Sequence, residues 1–429
     1  MKRTEYPQLD EVLYTQVLPN GLTVVVVPRK GFTRSLAYFV TDYGSIHTDF
    51  SLDGKEYHAP AGVAHYLEHK MFDMPDGRDV SAEFAAMGAV TNAFTSYDMT
   101  AYYFSCTSNF DPCLRLLLEF VSTPYFTEES VEKERGIIDQ EISMNEDAPD
   151  SVIFENLMQS LYTSHPIRVP ILGTCETIRR ITPEILHLCH RAFYAPGNML
   201  LCVIGDVDPE AVAATAREIL GDTPAEVGKK LRPWQEDMTC DKARSDRAME
   251  VAMPMFNLAF KAEPLPGGDD SIRMEMVADL AAEALFGESS RLYLELYEQG
   301  IIDSSFGGGF ETVDGCALLL CSGDSHAPGK VLEAILAQAE HIVRDGIPEQ
   351  TFLRMKRSAL GRRIRGLDSF DGTCFRICAY HFSDFEYFRF PEIYQSIREA
   401  EIRAFIDRII RKERCSLSVI HPLSSDQEA

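Results

Sequence analysis

The sequence predicts an α+β fold of two homologous domains, each an α/β roll in which helices pack on an antiparallel-rich sheet. The chain has 429 residues, enough for two or three domains. Runs of β-branched residues alternate with long amphipathic helices, and the same succession restarts in the second half, as after a tandem duplication. Hydrophobic residues make up 45% and charged residues 25% of the chain, which excludes a disordered, collagen-like or coiled-coil protein.

Strand and helix signals follow one another through the first half. A valine-rich run over 22–28 follows Asn20-Gly21, a turn typical of hairpins. Gly88 closes a short helix, and Pro112 lies near the start of the next one, where helices tolerate proline. The predicted strands cover 22–28, 35–45, 92–106 and 198–207, and the predicted helices cover 61–74, 80–89, 110–123, 127–144, 181–194 and 208–220.

The second half repeats this order. Residues 226–246 lose the apolar periodicity and gain charge, so we expect them to link two domains, 1–225 and 247–429. The helix after Thr127 aligns with the helix after Pro348, which indicates a duplication of about 200 residues per half. The predicted elements are strands within 248–262, a helix over 273–300, a strand over 316–323, helices over 331–346 and 348–364, and a closing helix and strand.

Charge limits the classes of partner. The chain carries a net charge of −25, so it is a poor candidate for binding nucleic-acid backbones, which need a clustered positive surface. The acidity is explained either by solubility or by an acidic cavity that attracts cationic peptides. Total charge does not separate these two explanations.

The cysteines and the N-terminus predict a cytoplasmic protein. No stretch approaches about 18 consecutive apolar residues, and the N-terminus lacks the apolar core of a secretory signal, so neither a membrane span nor secretion is expected. The eleven cysteines are odd in number and contain no CxxC. This pattern favours buried free thiols over a disulfide framework or a cysteine-based zinc site.

The motif with the clearest chemical meaning is HxxEH, formed by His65, Glu68 and His69. On a helix, positions i and i+4 share a face, so both imidazoles can reach one metal ion, and Glu68 lies close to the same face. Two neutral imidazoles and a neighbouring carboxylate suit a catalytic zinc site, where the carboxylate deprotonates a water molecule. The structural alternative is two surface histidines on an amphipathic helix.

A catalytic zinc needs a third protein ligand, and the helix over 127–144 offers candidates. Glu134 and Glu141 are seven residues apart, so they lie on one face, whereas Asp139 points elsewhere and Glu146 lies near the helix end. The alternative for such a pair is an ordinary solvated surface.

These motifs together resemble the pitrilysin/insulinase family of zinc metallopeptidases. HxxEH inverts the HExxH motif and is typical of the inverzincins. At subfamily level the chain resembles bacterial processing-peptidase-like subunits of similar length. The matching segments are 62–72 around HxxEH, 92–96 (NAFTS), 134–141 (ERGIIDQE), 171–174 (ILGT), 193–198 (FYAPGN) and 203–206 (VIGD).

The resemblance implies a role for each residue of the first-half motifs. His65, His69 and Glu141 are implied to bind one zinc ion per chain. Glu68 is implied to be the general base. Glu134 is implied to be an auxiliary glutamate that steadies the site from outside the ligand set.

The second half resembles the family's degenerate partner domain. Arg362 falls at the position of Glu141, and the segment from Asp279 to Glu283 falls at the position of HxxEH without a histidine. We therefore expect no metal set in the second half.

The resemblance also implies how substrate binds and which partner completes the site. Asn92 and Ala93 resemble the family's substrate-edge strand, which pairs with an extended peptide. In the family an Arg and a Tyr on a partnering half complete the active site, and this chain has Tyr297 and Asp303 at those positions. We therefore expect a dimer, with a zinc-free homologous subunit or with a second copy of the chain.

The function that follows is a zinc-dependent metalloendopeptidase acting on short or unfolded peptides. One alternative is a non-catalytic scaffold subunit of a peptidase-like complex. Another is a zinc hydrolase of non-peptide amides, which the motif chemistry permits and only the family resemblance disfavours.

Overall fold

The computed structural model describes residues 1–423. The strands are β1 (Lys2–Tyr6), β2 (Glu11–Val17), β3 (Thr23–Pro28), β4 (Ser35–Thr41), β5 (Asp49–Leu52), β6 (Lys55–His58), β7 (Ala89–Thr95), β8 (Thr100–Cys106), β9 (Met199–Gly205), β10 (Lys229–Lys230), β11 (Arg244–Met249), β12 (Met255–Ala262), β13 (Gly307–Val313), β14 (Cys316–Asp324) and β15 (Cys415–Pro422). The helices are α1 (Val63–Lys70), α2 (Val80–Ala86), α3 (Phe110–Ser122), α4 (Glu128–Glu146), α5 (Pro149–Leu161), α6 (Cys175–Ile178), α7 (Pro183–Phe193), α8 (Pro209–Leu220), α9 (Gly268–Phe286), α10 (Arg291–Glu298), α11 (Pro328–Asp345), α12 (Glu349–Arg365), α13 (Phe370–Phe382), α14 (Phe390–Ser396) and α15 (Glu399–Ile409).

The chain forms two compact units that are discontinuous in sequence. Unit 1 comprises 1–142, 170–233 and 366–388, and unit 2 comprises 143–169, 234–365 and the residues from 389 onward. Each unit thus takes one helical segment from the other half of the sequence, α13 in unit 1 and α5 in unit 2. These units differ from the continuous domains expected over 1–225 and 247–429, and the expected linker is divided between them.

Unit 1 is built on a seven-stranded sheet in the order β1-β2-β3-β9-β4-β8-β7. β3 and β9 run parallel, and the other neighbours run antiparallel. The central strands β3, β4 and β9 are buried almost throughout, which explains their uninterrupted apolar runs. β7 lies at one edge of the sheet. A smaller three-stranded sheet has the order β10-β5-β6.

The helix α1 packs on one face of this sheet through the residues between its two histidines. Tyr66 and Leu67 are fully buried and join a core that also holds Phe104, Leu117 and Val203. Burial of each large apolar side chain contributes about 1.5–3 kcal/mol. Because the tyrosine and leucine turn toward the core, the histidine and glutamate positions of α1 turn away from it.

The helix α13 covers the central strands of the same sheet and contacts β4 and β9. Cys202 of β9 is fully buried, and its Sγ lies 3.6 Å from Sγ of Cys374. Arg34 pairs with Asp371 at 2.8 Å near the start of the helix. Successive residues of β9 face opposite sides of the sheet, so α13 lies on the side opposite the core around α1.

Unit 2 repeats the core of unit 1. Its sheet has the order β11-β15-β12-β14-β13, with β11 parallel to β15 and the other neighbours antiparallel. This matches β3-β9-β4-β8-β7 in order and direction, and the helices between the matching strands also correspond. The predicted α+β fold with two homologous halves is therefore confirmed.

The helix α5 packs on this second sheet, where it contacts β11, β12 and β15. An ion pair between a buried lysine and a partly buried glutamate holds the segment that follows α5. Lys261 is 2% exposed, and its Nζ lies 3.0 Å from Glu236 Oε2, 2.8 Å from the Asp237 carbonyl oxygen and 4.4 Å from the ring centre of Tyr162. Glu236 also accepts backbone N–H groups of residues 163–165.

Two predicted elements were wrong because turns interrupt them. The strand expected over 92–106 is the hairpin of β7 and β8, closed where the Ser96 N–H donates to the Met99 carbonyl oxygen at 2.8 Å. The helix expected over 273–300 is divided into α9 and α10. α9 ends before Gly287, and Ser290 caps α10 by accepting the Tyr293 N–H.

Within residues 1–423, no helix combines the length and the apolar character that crossing a membrane requires.

Candidate metal centre

The helix that carries HxxEH begins at Gly62 for a steric reason. Gly62 has φ +91°, in the left-handed region that favours glycine, and a Cβ at this position would overlap the Leu172 carbonyl oxygen. The helix is then tied to α4, because the buried Tyr66 hydroxyl donates to the Val131 carbonyl oxygen. Lys70 is 2% exposed, and its Nζ donates to the Ser130 carbonyl oxygen at 3.3 Å. α1 and α4 are therefore fixed against one another.

This packing brings the three predicted ligands together. The ring centroids of His65 and His69 lie 4.6 Å apart. Glu141 Oε2 on α4 lies 3.6 Å from His65 Nε2 and 3.7 Å from His69 Nε2. Among the described residues, these three form the one group of histidine, cysteine or carboxylate side chains with the spacing to hold a metal ion.

The three residues fit a zinc ion in both chemistry and spacing. Two imidazole nitrogens and one carboxylate oxygen are the donor set of many catalytic zinc sites, which leave a fourth position for water. Ligand atoms placed tetrahedrally at about 2.1 Å from one ion lie about 3.4 Å apart, close to the separations seen here. The Glu141 side chain is 39% exposed, so the group is open to solvent on that side.

Glu134 contacts the histidine pair from the outer side, at the position where the family resemblance implies an auxiliary glutamate. Its Oε1 lies 2.9 Å from His69 Nδ1. A carboxylate at this distance accepts the Nδ1–H and leaves the Nε2 lone pair directed toward Glu141. The other glutamate and aspartate considered on α4, Glu146 and Asp139, are not part of the ligand group.

Glu68 lies beside the ligands and is held by a neighbouring strand. It is 9% exposed, and its Oε2 accepts a hydrogen bond from Thr95 Oγ1 at 2.7 Å. Thr95 is the last residue of β7. The sequence motif NAFTS contains this threonine, but its role went unpredicted because the contact joins a helix and a strand that are distant in sequence.

The protonation of the histidines differs because their surroundings differ. Burial, with repulsion from His69, lowers the pKa of His65 to about 3, so this imidazole is neutral at pH 7. Burial acts to lower the pKa of His69 as well, but the hydrogen bond to Glu134 and the charges of Glu68 and Glu141 outweigh it and raise that pKa. His65 is thus ready to bind a metal ion, whereas protons compete more strongly with a metal ion for His69.

The two carboxylates beside the ligands are shifted in opposite directions. Burial raises the pKa of Glu68, although the Thr95 hydrogen bond and the charge of His69 oppose the effect. The hydrogen bond from His69 lowers the pKa of Glu134. Divergent pKa values in one group of titratable residues are typical of functional sites.

The predicted substrate residues lie on the edge strand that contacts Glu68. Asn92 and Ala93 belong to β7, whose single neighbour among the described strands is β8. Asn92 is exposed, and its Oδ1 accepts the Ala93 N–H at 2.9 Å. One backbone N–H group of β7, that of Ala93, is therefore already hydrogen-bonded to a side chain of the same strand.

The equivalent place in unit 2, where the aligned sequences have Arg362 in place of Glu141, contains ion pairs. Arg362 Nη2, at the position of Glu141, lies 2.7 Å from Glu283 Oε2. Arg363 Nη2 lies 3.0 Å from Asp279 Oδ2. In unit 2, guanidinium groups on α12 thus supply the positive charge between α9 and α12.

A duplicated α/β roll that carries HxxEH on one helix and a glutamate on a second helix defines the inverzincin class of metallopeptidase folds. Residues 54–175 match the family model of insulinase, peptidase family M16, and residues 180–359 match that of the peptidase M16 inactive domain. The chain therefore belongs to peptidase family M16, as the sequence motifs indicated.

Individual relatives cover almost the whole chain. An uncharacterized zinc protease of Bacillus subtilis, YmfH, is 36% identical and covers 99% of this chain and 100% of its own length. The crystal structure of an M16-like peptidase from Alicyclobacillus acidocaldarius has a TM-score of 0.93 and 32% identity, with coverage of 98% and 100%. A protease from Helicobacter pylori shares the fold, with a TM-score of 0.81, 19% identity and coverage of 96% and 99%.

Proposed function

We propose that the protein is a zinc-dependent endopeptidase that hydrolyses short or unfolded peptides. The observation that carries the proposal is the convergence of His65, His69 and Glu141 beside the buried carboxylate of Glu68. Membership of a peptidase family and similarity to proteins named zinc proteases support it.

In the proposed site, His65, His69 and Glu141 would hold the zinc ion. Bound there, zinc would lower the pKa of a water molecule and polarise the carbonyl group of the scissile bond. Glu134 keeps His69 in the tautomer that presents Nε2, through the 2.9 Å contact at Nδ1.

Glu68 moves the proton. Its Oε2 is engaged by Thr95, so Oε1 takes the proton of the attacking water and later delivers it to the departing amine. Burial raises the pKa of this carboxyl group, so the carboxylate is a stronger base, which suits the first of these transfers.

Substrate is proposed to bind in extended form along β7. The free edge of the strand offers backbone groups near Asn92 and Ala93 for pairing with a peptide, and only an extended chain can make these hydrogen bonds. A docked peptide would compete with the Asn92 side chain for the Ala93 N–H.

The proposal includes a homologous partner. Tyr297 on α10 is 51% exposed, and Asp303 follows that helix, at the two positions where the family resemblance places an Arg and a Tyr. We expect a zinc-free homologous subunit to supply the missing pair, or otherwise a homodimer. If the purified chain cleaves peptides at full rate and an added zinc-free homologue changes nothing, the partner proposal fails.

The first experiment counts zinc ions in the purified, folded protein. We expect one zinc ion per chain in the wild type and none in His65→Ala, because a single ligand group is present in the described residues. A folded wild type that takes up no zinc would contradict the proposed site and favour the scaffold function.

The second experiment separates zinc binding from catalysis. Glu68→Gln removes the base and leaves the ligands, so it should retain zinc but lose at least about 100-fold in kcat on an unstructured peptide library. Glu129→Gln, an exposed change on α4, is the matched control and should behave as the wild type. Equal cleavage by Glu68→Gln would exclude Glu68 as the base.

The same library distinguishes the alternatives. A zinc-loaded wild type that cleaves no peptide, alone or with a zinc-free homologue, would favour a scaffold. Cleavage restricted to small non-peptide amides would favour an amide hydrolase. The absence of disulfides among the eleven cysteines is consistent with the proposed cytoplasmic location.

A further inference from the structure

We propose that Thr95 is the positioning residue of the general base: its hydroxyl holds one oxygen of Glu68 and leaves the other free for the attacking water. This inference rests on the proposed peptidase function.

The contact between the two side chains is short and has a definite direction. Thr95 Oγ1 lies 2.7 Å from Glu68 Oε2, and a hydroxyl has a single proton to donate. The neighbouring hydroxyl of Thr100 lies 3.4 Å from Thr95 Oγ1 but donates to the Tyr43 carbonyl oxygen at 2.9 Å. The proton of Thr95 is therefore committed to Glu68, as a charge-assisted hydrogen bond.

The hairpin backbone around Thr95 fixes the position of its side chain. Thr95 pairs with Thr100 in the last register position of the β7–β8 hairpin. The turn between them is closed by the Ser96 N–H, which donates to the Met99 carbonyl oxygen, and by the Ser96 hydroxyl, which lies 2.8 Å from Asp98 Oδ1. A side chain anchored in this way holds the carboxylate in one rotamer.

The position of Thr95 along β7 links the base to substrate binding. Asn92 and Ala93, the residues proposed to pair with the peptide, precede it on the same strand. The strand β7 thus has two roles. It pairs with the peptide, and through Thr95 it orients Glu68, whose free oxygen accepts the proton of the attacking water. Loss of the hydroxyl should then lower kcat more than it raises KM, because the peptide-binding edge itself is unchanged.

Thr95→Val tests this role, since valine has nearly the same shape without the hydroxyl. We expect kcat to fall about 10- to 100-fold, as for other residues that orient a catalytic group, with KM within about twofold and one zinc ion retained. Thr95→Ser restores the hydroxyl and should recover most of kcat. Thr91→Val is the matched control, because Thr91 lies on the same strand as Thr95, while its hydroxyl donates to the Tyr103 carbonyl oxygen of β8 and not to Glu68.

A second readout needs neither zinc nor substrate. In the metal-free protein, Thr95→Val should lower the unfolding midpoint in the wild-type background but not in the Glu68→Met background, where the carboxylate is absent. Equal shifts in both backgrounds would show that the two side chains are not coupled and would overturn the inference.

The kinetic outcomes are equally decisive. Unchanged kcat in Thr95→Val, no recovery in Thr95→Ser, or a higher KM with unchanged kcat would each overturn the positioning role. A wild type that binds zinc but cleaves no peptide under any condition would end the proposed function, and this inference with it.

Discussion

Replacing Glu134 by glutamine should weaken zinc binding in a pH-dependent way. The carboxylate accepts the His69 Nδ1–H at 2.9 Å, and removal of such an outer partner typically costs about 10- to 100-fold in metal affinity. Glutamine can still accept this hydrogen bond through its amide oxygen but carries no charge. We therefore expect a loss of about tenfold at pH 8, at the lower end of that range.

The difference between variant and wild type should shrink as the pH falls. Zinc needs a deprotonated His69, and Glu134 raises the pKa of this imidazole, so protons compete with zinc in the wild type already at higher pH. Without the carboxylate the pKa of His69 falls, and proton competition begins at lower pH. His65 does not add to the pH dependence of zinc affinity, because its pKa of about 3 keeps it neutral from pH 6 to pH 8. The two affinity curves should thus converge toward pH 6.

The assay is zinc affinity at pH 6, 7 and 8, measured by competition with a chelator of known affinity. Glu129→Gln controls for the loss of a charge on the same helix. A histidine titration by NMR in the metal-free protein should show a lower His69 pKa in Glu134→Gln. The reasoning would be refuted if the zinc affinities of variant and wild type differed by the same factor at all three pH values, or if they were equal at pH 8.

Two further predictions concern stability and thiol exposure. Lys261→Met leaves the partly buried carboxylate of Glu236 without its cation, so the free energy of unfolding should fall by about 1.5–3 kcal/mol in a denaturant titration. The exposed Lys242→Met should change it by less than about 0.5 kcal/mol, and similar losses in both variants would contradict the role of the pair. In the native protein only Cys175 and Cys240 are partly exposed, so a thiol reagent should label at most two cysteines quickly and all eleven after denaturation. Fast labelling of several more cysteines would show that the buried thiols are accessible to the reagent.

The parts of the candidate site that sequence alone could predict are those that depend on local spacing. The spacing of His65 and His69 fixes their relation on one helix, and the same holds for Glu134 and Glu141 on another. That α1 and α4 lie together came from the family resemblance and not from spacing. The closeness itself depends on contacts such as that of Tyr66 with the Val131 carbonyl oxygen, which periodicity does not encode.

The errors in the predicted elements have a common physical origin. Apolar alternation continues through the β7–β8 turn, and the turn lacks an Asn-Gly or Asp-Gly signal, so 92–106 resembled one strand. In 273–300 the break at Gly287 lies inside a continuous helical pattern. Thr95 went unpredicted for a related reason, since only the folded hairpin brings its hydroxyl to Glu68.

The distribution of α5 and α13 between the units has a consequence for how the chain folds. Unit 1 lacks the helix over the fully buried Cys202 until residues 366–388 have been synthesised, so the first half of the chain cannot finish folding during its own translation. A fragment that ends near residue 233 would leave this apolar surface of the sheet exposed and would tend to aggregate. Contacts of such long sequence separation also slow folding. The two halves of the chain therefore mature together, and neither is an independent folding module.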